Sequence, residues 1–268
     1  MPIDKHLTKI AVQSILADDA KDVVQRTLGA LQTRLQQHFG ARMQSSVVFG
    51  SYSRGTILPR AMDARSDIDY MVVFSASEPS VQACLEQLKE FAKQSLGIAE
   101  PSHDQATLRL ETQQLRFELV PATCNLFGGL QIAAPAGPHG SWLDTDPQAV
   151  HDKLTEAHRR HGGLIRPLVR VMKYWNATAN YPFEPFALEQ KVVGFAHAQT
   201  TPAARISDYF VHFVETLHVS WADQATKRDA VERLKAMTAQ ARQFQRSGLD
   251  IQAKGVMVQL LPPRPKSS

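Results

Sequence analysis

Two aspartates one residue apart, Asp67-Ile68-Asp69, are the most chemically pointed feature of this 268-residue chain. On a strand, side chains alternate, so carboxylates at i and i+2 point to one face with Cα atoms about 6.5–7 Å apart. Like charges held that close oppose each other's ionisation unless a cation lies between them. Hard oxygen donors of this kind select Mg²⁺ or Mn²⁺ over zinc. Upstream, Gly50-Ser51-Tyr52-Ser53-Arg54-Gly55-Thr56 ends eleven residues before Asp67. A glycine permits close backbone approach, and N–H groups at the start of a helix favour phosphate oxygens. The Ser51 hydroxyl adds a further donor. Carboxylate pair and phosphate cradle together describe a site for a Mg²⁺-triphosphate. A third carboxylate is expected on an adjacent strand, and Glu118 offers one as the lone charge in Phe117-Glu118-Leu119-Val120-Pro121. By alternation it shares a face with Arg116, so a solvated strand face is the alternative reading.

These residues need elements to hold them. The first forty residues read as helix, with Asp4 at the cap, Leu7, Ile10, Ile15, Val23, Val24, Leu28, Leu31 and Leu35 at approximately helical spacing, and Gly40 as the stop. Ser46-Val47-Val48-Phe49 reads as a buried strand entering a tight turn at Gly50-Ser51, and residues 66–74 read as a second strand. Residues 80–96 return to helical periodicity. Runs 106–111 and 115–121, separated by Thr112-Gln113-Gln114, suggest a hairpin, and residues 128–141 form a Gly-, Pro- and Ala-rich loop. Helical patterns then cover 147–160, with Pro147 first, 163–178, 186–199, 205–219 and 226–246. The tail from Leu261 is expected to fray. The fold class is α+β: a small mixed β-sheet core flanked by helices, followed by a helical C-terminal half. The expected domains are a catalytic core with its N-terminal helix over 1–145 and a helical domain closing the cleft over 146–260.

Within 163–178, Ile165, Leu168, Val169, Met172 and Trp175 form an apolar stripe, while Arg166, Arg170 and Lys173 recur on another face. Such a basic face is either solvated surface or a phosphate contact, and the upstream motif favours phosphate for Lys173. A net charge of +4 and a pI near 9.1 suit a polyanionic partner, a nucleoside triphosphate or a nucleic-acid end. Cys84 and Cys124 are expected to be small buried hydrophobes, and His158 and His161 to lie on solvated surface. No apolar run reaches the roughly 18 residues that cross a bilayer. Met1–Lys9 lacks the order of a signal peptide, so a cytoplasmic protein with no membrane partner is expected.

The order Gly-Ser-x-x-Arg-Gly-Thr, Asp-x-Asp, then an acid before Val-Pro resembles the DNA polymerase beta superfamily of nucleotidyltransferases. Within it, the chain most resembles the bacterial cyclic-oligonucleotide synthases related to cGAS and oligoadenylate synthase. The resemblance covers roughly residues 44–195 and includes Trp142, Thr145-Asp146-Pro147 and Leu168–Asn176, which is similar to the family's Lys-x-Trp-Asn helix. It implies a nucleotidyltransferase that joins nucleotides from NTPs or dNTPs and releases pyrophosphate. Two Mg²⁺ or Mn²⁺ ions would be held by Asp67, Asp69 and Glu118, and the donor nucleotide by Gly50, Ser51, Arg54 and Lys173. The implied product is a cyclic or short linear oligonucleotide, an antiphage signal read by a downstream effector. The chain departs from the family in having Glu118 for an aspartate and Pro185-Phe186-Ala187-Leu188-Glu189 for Ser-Tyr-x-Leu-Glu, which removes a triphosphate hydrogen bond. It also has fewer helices after the core. The alternatives are a transferase that modifies a tRNA or another macromolecule, and a non-catalytic nucleotide-binding relative. A pure binder has no need of adjoining carboxylates that repel.

Overall fold

Hydrophobic spacing assigns the helices of this chain to two separate cores. The structure, a computed structural model, describes residues 1–75, 80–103, 106–111, 115–134, 140–200 and 202–264. In chain order the elements are α1 (Pro2–Gln13), α2 (Asp18–Phe39), a 3₁₀ turn (Gly40–Arg42), β1 (Met43–Val48), α3 (Gly50–Ser53), β2 (Ile68–Phe74), α4 (Val81–Leu96), β3 (Ser102–His103), β4 (Leu108–Glu111), β5 (Arg116–Cys124), β6 (Leu130–Ala133), β7 (Trp142–Asp144), α5 (Pro147–Arg160), α6 (Ile165–Thr178), α7 (Pro185–Ala198), α8 (Ile206–Thr216), α9 (Ala225–Arg246) and α10 (Asp250–Leu260). The chain is α+β, as expected. It forms two compact units, each discontinuous in sequence. Met1–Leu16, Thr56–Ser66 and Asp152–Ser268 make a helical unit, and Ala17–Gly55 with Asp67–His151 make a sheet unit.

In the sheet unit the strand order is β1-β2-β5-β4-β3, with β6 on β5 and β7 on β6. Only β2 and β5 run parallel among the described strands. One sheet face carries Ile68, Tyr70, Phe117, Leu119, Leu108 and Leu110, all buried. The same face of β2 ends in Phe74, whose ring meets Phe39 of α2 at 5.3 Å, and Phe39 in turn meets Phe91 of α4 at 5.8 Å. Burying a side chain of this size contributes about 1.5–3 kcal/mol, which fixes the register: a one-residue slip would bring the charged set into the core. The alternate set is Asp69 on β2, Arg116 and Glu118 on β5, and Arg109 and Glu111 on β4.

The helical unit has its own core, to which α1 gives Leu7 and Ile10, the 56–66 segment Leu58 and Met62, α6 Met172 and α8 Phe210.

Several expectations change. The first forty residues are two helices, because Ser14 turns its hydroxyl back onto the Ala11 carbonyl at 2.7 Å and caps α1. α2 then starts afresh with Asp18 and Asp19 in its first turn, where the helix dipole favours acids. Asp4 does not cap α1; its carboxylate accepts from the backbone N–H of Ser207 on α8. β1 is an edge strand with Val47 44% exposed, not a buried one. β6 and β7 form within and beside the Gly- and Pro-rich stretch read as loop, and α10 follows α9, burying Ala253, Val256, Met257 and Leu260 at helical spacing. Leu261 is anchored rather than frayed: it is fully buried and its carbonyl accepts from His6 Nε2 at 2.8 Å. His161 is buried against the Tyr209 hydroxyl at 2.7 Å, not solvated. Cys84 is buried and Cys124 half-buried. The hairpin tip 112–114, residues 135–139 of the loop and the tail 265–268 lie outside the described residues.

Candidate active site

The geometry is built around Asp69, the second residue of strand β2, with Asp67 one residue ahead of the strand and so outside the strand alternation expected for the pair. Both are half-buried. The Asp69 carbonyl accepts from Phe49 N–H at 3.1 Å, which docks the end of β1 onto β2 and brings Gly50 beneath the aspartate. Gly50 has φ +69°, and a Cβ there would meet Asp69 Oδ2 at 1.7 Å. No other residue type fits: glycine is needed both for the left-handed backbone and for the space its missing side chain leaves. Gly50–Ser53 then makes one turn of helix, with Ser53 Oγ donating to the Gly50 carbonyl at 3.0 Å and Arg54 N–H to the same oxygen at 3.3 Å. Arg54 closes the turn and is 6% exposed. A four-residue helix has little macrodipole, so a phosphate here would be held by the Ser51 hydroxyl and local N–H groups.

Glu118 is the register partner of Asp69 on the parallel strand β5, and Arg109 of β4 is in turn the register partner of Glu118. Neighbouring strands lie about 4.8 Å apart, so the three side chains form a row across one sheet face. Glu118 Oε1 accepts from Arg109 Nε at 2.8 Å, with the glutamate side chain 17% exposed and the arginine 42%. Arg116 pairs instead with Glu111 at 3.3 Å. Asp69 and Glu118 on adjoining strands, with Asp67 just ahead of β2, are hard oxygen donors, which suits Mg²⁺ or Mn²⁺ by type. Among the described residues no three His, Cys, Asp or Glu side chains are gathered closely enough to hold a metal ion, and Glu118 is directed at Arg109.

Lys173 belongs to the helical unit, on α6, and there the exposed-face alternative is wrong. Lys173 and Arg170 are each 8% exposed. Burial, with Arg166 beside it, pulls the Arg170 guanidinium down to about 10. Lys173 Nζ lies 3.9 Å from Glu189 Oε2 of α7, and Glu189, with no exposed surface, also accepts from the Thr56 hydroxyl at 2.8 Å. Glu189 thus ties the last residue of the Gly50–Thr56 motif to the lysine. Pro185 takes the first position of α7, where its lack of N–H costs nothing, and Glu184 caps the helix by accepting from Ala187 N–H.

Three further residues of this unit fix the loop after α6: Asn176, which ends the Lys-x-Trp-Asn segment, and Asp63 and Tyr181, which carry no motif signal. Asn176 clamps the loop after α6, its amide donating to the Phe183 carbonyl at 2.9 Å and accepting from Phe183 N–H at 3.0 Å. Within that loop Asn180 and Tyr181 both adopt positive φ, a strained conformation for residues with side chains. The Tyr181 hydroxyl donates to Asp63 Oδ1 at 2.5 Å, and Arg65 covers its ring at 3.8 Å. Burial and the adjacent Asp63 push this phenol up to about 12. The 56–66 segment, which connects the Gly-Ser turn to Asp67, is therefore fastened at Thr56 and at Asp63. Hydrophobic periodicity is blind to such polar ties between distant segments.

Comparison with known proteins follows the same lines. The model of a family described as the Second Messenger Oligonucleotide or Dinucleotide Synthetase domain matches residues 1–157. A probable cyclic nucleotide synthase of Bacillus cereus (strain VD146) is 32% identical over 92 residues, 33% of this chain. The match spans only 28% of that relative's length. Among solved structures, the chain is similar to the CD-NTase CdnG of Bradyrhizobium diazoefficiens in complex with GTP, with a TM-score of 0.71 and 12% identity over 97% of this chain and 98% of that one. It is also similar to E. coli MS115-1 CdnC with ATP, at 0.69 and 14% over 98% of each chain. The di-nucleotide cyclase DncV of Vibrio cholerae, in complex with GTP, matches at 0.73 and 12% over 95% and 93%. At such identities these likenesses show the fold.

Proposed function

This chain belongs to the Second Messenger Oligonucleotide or Dinucleotide Synthetase domain family of nucleotidyltransferases, and from that premise we propose that it joins nucleoside triphosphates into a cyclic or short linear oligonucleotide signal. A ribose hydroxyl attacks the α-phosphorus in line, a new phosphodiester bond forms, and pyrophosphate leaves. Asp67, Asp69 and Glu118 are the residues assigned to hold two divalent ions. Mg²⁺ or Mn²⁺, if held by these carboxylates, would supply charge neutralisation for the triphosphate and acidify the attacking hydroxyl. Gly50, Ser51, Arg54 and Lys173 are assigned to the donor phosphates, and positioning of this kind supplies much of the rate in phosphoryl transfer. By function we assign the catalytic core to residues 1–145 and a helical domain to residues 146–260, although Met1–Leu16 and Thr56–Ser66 pack within the helical unit. The product acts on a downstream effector in antiphage defence.

One observation carries this reading: Asp69 and Glu118 are register partners on adjoining parallel strands, with Asp67 just ahead and Gly50 held against the Asp69 carboxylate. Carboxylates on neighbouring register positions of one sheet face are a donor set of the kind divalent ions take, and glycine at position 50 leaves the space that the Asp69 carboxylate fills.

The test is incubation of the purified protein with the four labelled NTPs, then the four dNTPs, with Mg²⁺ or Mn²⁺ and no nucleic acid. Phosphatase-resistant labelled products are expected, and the Asp67→Asn/Asp69→Asn double variant, folded by its melting curve, should make none. Label that appears only on added tRNA would replace this reading with a macromolecular transferase. Turnover retained in the double variant would refute the mechanism.

A further inference from the structure

The geometry points to Arg109 as a competitor of the divalent ion for Glu118, so that filling the metal site is an exchange of guanidinium for metal at the third carboxylate. This rests on the assignment of Asp67, Asp69 and Glu118 as metal ligands. Across the charged sheet face the order is Asp69, Glu118, Arg109, each the register partner of the next. Glu118 therefore stands between a carboxylate that would share a cation with it and a guanidinium that already neutralises it at 2.8 Å. A glutamate has one more methylene than an aspartate at the same backbone position. That reach lets its carboxylate turn toward either neighbour without movement of β5. With the arginine 42% exposed and the glutamate 17%, the pair is of the partly solvated kind, too weak to exclude a divalent ion and strong enough to tax its binding. Arg109 thus positions the third ligand and compensates the charge of Glu118 before the metal enters.

A Mg²⁺ titration followed by arginine Nε–Hε NMR tests this. The Arg109 resonance is identified by its loss in Arg109→Gln. It should move along the titration in the wild-type chain and stay fixed in the Asp67→Asn/Asp69→Asn double variant. By calorimetry with the metal alone, Arg109→Gln should bind Mg²⁺ and Mn²⁺ about two- to five-fold more tightly than wild type, the range that a partly exposed ion pair allows. Should Arg109→Gln fail to fold, the resonance is identified by its loss in Arg109→Lys, and the wild-type NMR titration then decides. Mg²⁺ binding that depends on Asp67 and Asp69 while the Arg109 resonance stays still would overturn the exchange and leave the metal site standing. Mg²⁺ binding unaffected by the double variant would overturn the metal-site assignment, and the exchange with it.

Discussion

Gly50→Ala tests the local geometry most sharply. A Cβ at this position meets Asp69 Oδ2 at 1.7 Å, Cγ at 2.5 Å and Cβ at 2.8 Å. Rotating the Asp69 side chain moves the first two atoms but not the third, whose place is set by the β2 backbone. The carboxylate would have to retreat by about 1.7 Å to reach ordinary contact, and the turn or the strand must also give. Left-handed backbone for alanine costs about 1–2 kcal/mol and overpacking about 1–3 kcal/mol, so a loss of roughly 2–5 kcal/mol in stability is expected. A reacting group displaced by about 1 Å costs on the order of 10²-fold in rate. Gly97→Ala is the control: Gly97 is left-handed, at φ +70° and ψ 20°, but a Cβ there meets nothing within 4 Å, so only the backbone strain is introduced. Pyrophosphate release and urea denaturation should therefore separate the two. Gly97→Ala should lose about 1–2 kcal/mol and keep its rate, while Gly50→Ala loses both. Equal rate losses in the two variants, or a Gly50→Ala enzyme within about three-fold of wild type, would refute the argument that Asp69 depends on the empty space at Gly50.

Other consequences concern the helical unit. Glu189→Gln removes the charge of the buried carboxylate 3.9 Å from Lys173 Nζ and should cost about 3 kcal/mol by urea denaturation; adding Lys173→Met should recover part of that loss, and a merely additive double variant would argue against the pairing. Asn176→Ala removes both hydrogen bonds that hold Phe183 and strands two buried backbone groups, so about 2–3 kcal/mol of stability should go, whereas a change below 0.5 kcal/mol would mean the loop is held by other contacts. Burial holds His6 and His158 below the ordinary imidazole value, aided by Lys9 and Lys254 for the first and by Arg166 and Arg170 for the second. Their unfolded forms bind protons that the folded forms refuse, so this contribution to stability is full above about pH 6.5 and is lost as pH falls through the depressed folded values. The melting temperature should drop between pH 7.5 and 5, and a flat profile would contradict it.

Much was legible because it repeats. The 3.6-residue stripe of Leu168, Val169, Met172 and Trp175 and the strand run ending at Phe74 announce their elements, since burial of a periodic face is a property of local sequence. Asp67, Asp69 and Glu118 stood out by type and order, and their backbones do adjoin through the β2–β5 register. The division of one apparent N-terminal helix between two cores was not legible, because Ser14–Ala17 breaks the helix through a single serine hydroxyl whose role depends on what α1 packs against. Nor was the burial of Lys173 and Arg170, since a basic stripe looks the same whether it faces water or a fully buried glutamate from another helix. Glu118 shows the boundary most plainly. Its residue type and strand placement are set by the chain itself, but Arg109 becomes its partner only when β4 pairs with β5, because hydrogen-bond register, not sequence distance, decides which charges meet across a sheet.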